Sequence, residues 1–348
     1  MSAGSLRRGA SVAGAPHPPA TIEEVAAAAG VSRSTVSRVV NGSSAVSPSA
    51  LESVKRAIAD LNYVPNRAAR SLASRQTLAI ALVVPEDTTR FFGDPFFAAV
   101  VSGINARIAR SDYVLNLFIA NDDPGDKMTS YFSRGNVDGA IIVSHHTSDT
   151  YIDRIAAAVP VVYGGRPVVL NDEDYYVDVD NVRGGREATE YLIGRGHKRI
   201  ATITGPLTMR AAMERLTGWQ DALAAAGLEP GPAVDGNFTD DGGADAMRRI
   251  LAAPGDRPDA VFAASDLMAR GALHALATAG LQVPQDVAVI GFDDSPIATA
   301  VQPALTTMRQ PSFLQGEEMA SMLIDRLAGI ATPHSRIMPT GLVVRESA

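Results

Sequence analysis

Apolar positions change rhythm near residue 77. Before it they recur three and four residues apart, as on the buried face of a helix; after it they gather in short β-branched runs separated by helical stretches. In the first part, Thr21-Ile22-Glu23-Glu24 reads as a capping box, the Thr21 hydroxyl accepting from the Glu24 backbone N–H while the Glu24 carboxylate reaches back. Ile22, Val25, Ala26 and Ala29 then share one face, and Gly30 supplies the positive φ of a tight turn. Ser32 caps a second helix, Arg33 to Val40, which turns Val36, Val39 and Val40 inward and leaves Arg33, Ser34, Ser37 and Arg38 outside. Asn41-Gly42 stops it, and Ser47-Pro48 opens a third helix with Leu51, Val54, Ile58 and Leu61 at core spacing. Two small helices across a glycine turn, braced by a third, predict a helix-turn-helix, whose second helix enters the major groove of DNA.

From Leu78 the runs Leu78 to Val84, Tyr113 to Ile119, Gly139 to Val143, Val159 to Tyr163, Tyr176 to Val179, Arg199 to Ile203, Ala260 to Ala264 and Val287 to Ile290 have the length and branching of buried parallel strands. Helical stretches such as Phe96 to Arg110, Gly185 to Arg195, Ala211 to Ala226 and Leu267 to Ala279 lie between them. Repeated βαβ units predict doubly wound α/β sheets, whose ligands bind beyond the carboxyl ends of the strands. Those ends carry Glu86-Asp87, His145-His146, Arg166, Ser265-Asp266 and Asp293-Asp294, so polar and charged groups recur where loops would line one cleft.

Composition bounds the reading. The 348 residues exceed one ordinary core, and 46% hydrophobic with 20% charged residues describe a globular chain. Absence of cysteine removes disulfides, thiolate metal sites and cysteine nucleophiles, and fits a cytoplasmic setting. No run reaches the roughly 18 apolar residues of a membrane span, and the first nineteen residues read as a disordered tail. Net charge of −7 argues against nucleic acid until it is divided. Residues 1–76 hold nine Lys/Arg against four Asp/Glu, a balance of +5, while the rest carries −12. A basic head precedes an acidic body.

No catalytic set is found: the chain has no GxGxxG after the first strand, no phosphate-binding Walker loop, no GxSxG and no HExxH, and no cofactor is expected. His145 and His146 are adjacent, so in extended chain they face opposite sides and suit a ligand contact better than a metal.

The run from Thr21-Ile22-Glu23-Glu24-Val25-Ala26 through Gly30-Val31-Ser32-Arg33-Ser34-Thr35-Val36-Ser37-Arg38-Val39-Val40-Asn41, followed by Leu61-Asn62-Tyr63-Val64-Pro65-Asn66-Arg67-Ala68-Ala69-Arg70-Ser71-Leu72-Ala73, resembles the head of the lactose-repressor (LacI/GalR) family of bacterial transcription regulators. Gly196-His197-Lys198-Arg199, Arg215 to Trp219, Ser265-Asp266, Gly291-Phe292-Asp293-Asp294 and Leu305-Thr306-Thr307 extend the resemblance to about residue 345. It implies a helix-turn-helix head at 20–65, a hinge helix at 66–76 and a periplasmic-binding-protein-like body at 77–348. One subdomain would take about 77–179 plus 311–337, the other about 180–310 plus 338–348.

By the same resemblance Arg33, Ser34 and Arg38 read bases, Thr21, Ser32, Thr35, Asn41 and Asn66 hold phosphate, and Ala69, Leu72 and Ala73 of the hinge meet the minor groove. Phe96, His146, Arg166, Arg215, Phe238, Ser265, Asp266 and Asp293 are the implied effector ligands. Charged acceptors and donors between aromatic faces suit a mono- or oligosaccharide. The expected protein is a homodimeric repressor of carbohydrate utilisation, released from a pseudo-palindromic operator by a sugar. A purine-dependent corepressor-type regulator, a sugar-binding transport protein and an α/β enzyme are the alternatives.

Overall fold

The computed structural model describes residues 20–40, 45–63 and 76–348. Two units divide between Thr77 and Leu78. Asn41, Asn66, Ala69, Leu72, Ala73 and the expected tail lie outside the described residues.

In the head, α1 (Ile22–Ala29), α2 (Arg33–Val40) and α3 (Pro48–Asp60) close over Val25, Ala26, Val36, Val54, Ala57 and Tyr63. The capping box forms as the sequence dictates: Thr21 N donates to Glu24 Oε2 at 2.7 Å and Glu24 N to Thr21 Oγ1 at 3.3 Å. Gly30 takes the left-handed turn at φ 66°. One core expectation fails. Leu61 is exposed because α3 ends at Asp60; Asn62 at φ 46° then reverses the chain, Tyr63 N donates to Ile58 O, and the Tyr63 ring fills the core.

The body holds two six-stranded sheets. The first contains β1 (Ala79–Val84), β2 (Val114–Ile119), β3 (Gly139–Val143), β4 (Val161–Gly164), β5 (Tyr175–Val179) and β11 (Ser335–Met338), in the order β11-β5-β4-β3-β1-β2 and parallel throughout. The second contains β6 (Ile200–Thr204), β7 (Ala233–Asp235), β8 (Ala260–Ala263), β9 (Ala288–Asp293), β10 (Thr306–Arg309) and β12 (Gly341–Val343), in the order β12-β10-β9-β8-β6-β7, with only the β10–β12 pair antiparallel. Both faces are covered, so strands alternate between two cores: Ile80, Leu82 and Val84 enter one, and Ala79, Ala81 and Val83 the other.

The helices of the body are α4 (Thr88–Gly93), α5 (Pro95–Ile108), α6 (Lys127–Ser133), α7 (Tyr151–Ala158), α8 (Asn181–Gly194), α9 (Arg210–Ala225), α10 (Asp240–Ala252), α11 (Asp266–Thr278), α12 (Ile297–Ala300) and α13 (Ser312–Leu327). The chain passes between sheets after β5, after β10 and between β11 and β12. Asn181 and Gln310 therefore stand at crossings, next to both sheets. Helices α8 and α9 pack without intervening side chains at Gly185 and Gly218; a Cβ on Gly218 would strike the Val182 carbonyl and the Arg186 nitrogen. That close approach sets Asn181 of α8 against Arg215 of α9.

Candidate functional site

Helix α2 carries the candidate nucleic-acid face. Ser32, Arg33, Ser34 and Arg38 are exposed, and Thr35 is half-buried. Ser32 Oγ lies 2.8 Å from Ser34 Oγ and 2.9 Å from Thr35 Oγ1, so three hydroxyls cluster at the N-terminus of the helix. Arg33 reaches Glu23 at 3.2 Å, but both side chains are mostly exposed and such a pair is easily exchanged for a phosphate or base. Thr21 caps α1, its hydroxyl donating to the Glu24 carboxylate and accepting from Glu24 N in exposed hydrogen bonds. The Thr21 backbone N–H and hydroxyl, both donating to it, hold the Glu24 carboxyl below the usual carboxylate range.

In the body, strand ends and crossings of both sheets surround a cavity of about 610 Å³, counting the part open to solvent. Arg215 is its centre. Its guanidinium is buried, Nε donates to Asn181 Oδ1 at 2.9 Å, Nη1 to the Ala264 carbonyl at 2.6 Å, and its carbon stands 3.6 Å from the centre of the Phe292 ring. Gln310, at the second crossing, donates Nε2 to Asp293 Oδ1 at 2.5 Å. Phe238 lies over Gly205, where any side chain would collide with its ring. Ser265 caps α11, its Oγ accepting from Met268 N at 3.2 Å.

Three lining residues hold backbone angles that non-glycine residues rarely adopt: Ser144 at φ 67°, Phe238 at φ 49° and Asp293 at φ 120°. Such concentrated strain is typical of functional sites.

Carboxylates outnumber cations at this centre. Asp94, Asp178, Asp266 and Asp293 all act electrostatically on Arg215. Burial pushes each upward, Asp178 to about 6 and Asp293 well above the ordinary value; the neighbouring charge of Asp266 adds to the rise at Asp293 and Arg215 opposes it. A buried cluster of carboxyls in mixed protonation states favours a ligand whose groups both donate and accept, as hydroxyls do.

Of the expected effector residues, Phe96, Arg215, Phe238, Ser265 and Asp293 line the cavity together. The other three do not. Asp266 is fully buried behind it, its oxygens accepting from Thr307 Oγ1 at 2.5 Å and Ser295 N at 2.7 Å. His146 closes the rim, Nδ1 being 2.8 Å from Thr208 Oγ1 and Nε2 3.2 Å from Glu86. Arg166 turns to Glu214 at 3.6 Å and to the Tyr176 ring, so both it and His146 join the two sheets' loops across the cleft.

Asp94, Asp178, Asn181, Gln310 and Gln315 also line the cavity and were not singled out from the sequence. Asp94 had a signal, the Asp-Pro helix start, since it caps Phe96 N at 2.9 Å. Among the described residues no group of three His, Asp or Glu is arranged to hold a metal ion, and no helix is long and apolar enough to cross a membrane.

A three-helix head with an exposed basic helix, followed by a two-sheet body around an acceptor-rich cavity, defines the class of ligand-responsive DNA-binding regulators. Residues 21–66 match the model for bacterial regulatory proteins of the lacI family, and residues 189–348 that for a periplasmic binding protein-like domain. The chain is 48% identical over 335 residues to the HTH-type transcriptional regulator CelR of Thermobifida fusca, covering 94% of this chain and 98% of that protein. A solved complex of the transcriptional regulator CelR with cellobiose superposes with a TM-score of 0.75 at 44% identity, over 94% of this chain and 100% of the other. The Lac repressor dimer bound to operator and the anti-inducer ONPF gives 0.81 at 30% identity, over 95% and 99%. The chain belongs to the lacI family of transcriptional regulators; these relatives are regulators, not enzymes.

Proposed function

We propose that the protein is a cytoplasmic, homodimeric repressor of carbohydrate utilisation that leaves a pseudo-palindromic operator when a saccharide fills the cavity. Cellobiose is the first candidate. The observation that carries the reading is the buried Arg215 held among four carboxylates and the Phe238 and Phe292 rings. Sugar hydroxyls both donate and accept, so they suit carboxyls that burial leaves partly ionised and partly protonated, and the C–H faces of a pyranose lie against aromatic rings. Likeness to a regulator solved with cellobiose supports the same choice.

In this reading Phe96, Arg215, Phe238, Ser265 and Asp293 contact the effector, with Asp94, Asp178, Asn181, Gln310 and Gln315 completing the set. His146 and Arg166 join the two halves of the body beside the main cavity without lining it. On DNA, Arg33, Ser34 and Arg38 read base edges, since an arginine fork matches guanine and a hydroxyl serves either partner. Ser32, Thr35, Asn41 and Asn66 hold phosphate, and Ala69, Leu72 and Ala73 meet the minor groove, Leu72 as an apolar wedge. The sugar acts through its different affinity for two arrangements of the body, which a dimer transmits to two half-sites.

A thermal-shift panel of cellobiose, glucose, ribose and hypoxanthine tests the ligand class. Cellobiose at about 100 times its Kd is expected to add about 2.7 kcal/mol of stability by mass action. Stabilisation by hypoxanthine and by no sugar would overturn the saccharide reading.

A further inference from the structure

A second cavity, about 900 Å³ on the same measure, opens beside the main one, lined by His145, Asp149, Asp153, Tyr163, Asn171 and Asp174 among others. The two share strand ends. Ser144 faces the first and His145 the second; Gly164 and Gly165 face the first and Tyr163 the second. Gly165 stands at this boundary without a side chain, and a Cβ built on it would meet nothing within 4 Å.

The lining of the second cavity is unspent polar chemistry. Asp149 accepts from His146 N and the Ser148 side chain and Asp174 from the Asn171 backbone and amide, and among the described residues neither they nor Asp153 is in a salt bridge with Arg, Lys or His. His145 Nδ1 is buried with no hydrogen-bond partner. The ring is neutral at physiological pH, since burial drives it down to about 4, and it stands 5.3 Å from the Tyr163 ring. A buried polar atom without a partner is costly and marks a place where a ligand group or water completes the site. Carboxylates, an amide, a neutral imidazole and a phenol ring form the same acceptor-and-ring pattern as the main cavity.

We propose that this second cavity is an extension subsite, which takes a further sugar unit of an oligosaccharide whose first units occupy the main cavity. The proposal rests on the reading of the main cavity as a saccharide site. It makes the protein a sensor of chain length as well as of sugar identity: cellotriose binds more tightly than cellobiose, and the gain resides in residues that a disaccharide does not need.

The test is calorimetric titration of the full-length protein with cellobiose, cellotriose and spermidine, repeated on Asp153→Ala and on His145→Ala. Asp153 is exposed on α7, so its variant keeps the fold if the His145 variant does not. Cellotriose is expected to bind the wild type at least about tenfold more tightly than cellobiose, the scale of one hydrogen bond to a charged group. Both variants should lose that increment and hold cellobiose within about twofold. Equal affinity for the two sugars, or equal weakening of both by Asp153→Ala, overturns the subsite while leaving the saccharide reading intact. Failure of cellotriose alone to bind overturns the subsite, and binding of neither sugar overturns both. Spermidine binding that depends on Asp153 overturns the assignment of the subsite to a sugar in favour of a cation.

Discussion

At the scale of single residues, the cavity is a balance between burial and charge. Asp94 shows it most simply: burial raises its carboxyl above the usual range, with Arg90 and Arg215 opposing the shift, while one oxygen caps Phe96 N. A native pKa above the unfolded one means that the folded state binds more protons between the two values, so this group costs stability as pH rises through that window and costs nothing below it. Asp94→Asn keeps the capping oxygen and removes the charge. Its melting temperature should exceed that of the unliganded wild type at pH 7.5 by more than at pH 4.5. A gain that is larger at the lower pH would contradict the assignment. The comparison must be between variant and wild type, because His145, driven down to about 4 by burial, changes stability in the opposite sense. Arg215, Phe238 and Asp293 were legible through family resemblance and the strand-end rule. Asp178 was not, because it lies inside the run read as an apolar strand, where its carboxylate accepts from Arg166 N at 2.8 Å and Val179 N at 2.7 Å. Family position did not separate the residues that line the cavity from His146, Arg166 and Asp266 beside it, since the choice between lining a cavity and bracing a neighbour depends on contacts far away in sequence.

At the scale of elements, the legible parts are those with strong local rules. Capping box, glycine turn and helical spacing defined the head's three helices, and apolar runs marked eight of the strands. Strands β7, β10, β11 and β12 escaped because they are three or four residues long, and β10 and β11, Thr-Thr-Met-Arg and Ser-Arg-Ile-Met, offer no apolar run to see. Losing β10 also hid Gln310, which follows it. Two predictions belong here. Helix α2 presents Arg38 to solvent, so Arg38→Ala should leave the melting temperature unchanged while weakening binding to a selected operator by about 1–3 kcal/mol, measured by fluorescence anisotropy. Helices α8 and α9 meet at Gly185 and Gly218, and Gly218→Ala forces a Cβ into the Val182 carbonyl. Overpacking there should cost about 1–3 kcal/mol in a denaturant titration and weaken effector binding, because it separates Asn181 from Arg215.

At the scale of the whole molecule, the net charge of −7 describes neither part: a basic head and an acidic body sit in one chain. The body has nothing to gain from phosphate, and its acceptors await hydroxyl donors. In the proposed function, occupation of the cavity controls the head's hold on DNA. Anisotropy of a duplex selected by the full-length protein, measured at fixed salt with and without saturating cellobiose, tests this directly. The predicted result is a loss of affinity of about 5–150-fold, the usual range of coupling between two sites. Unchanged affinity, with cellobiose shown to be bound in the same sample, would contradict it.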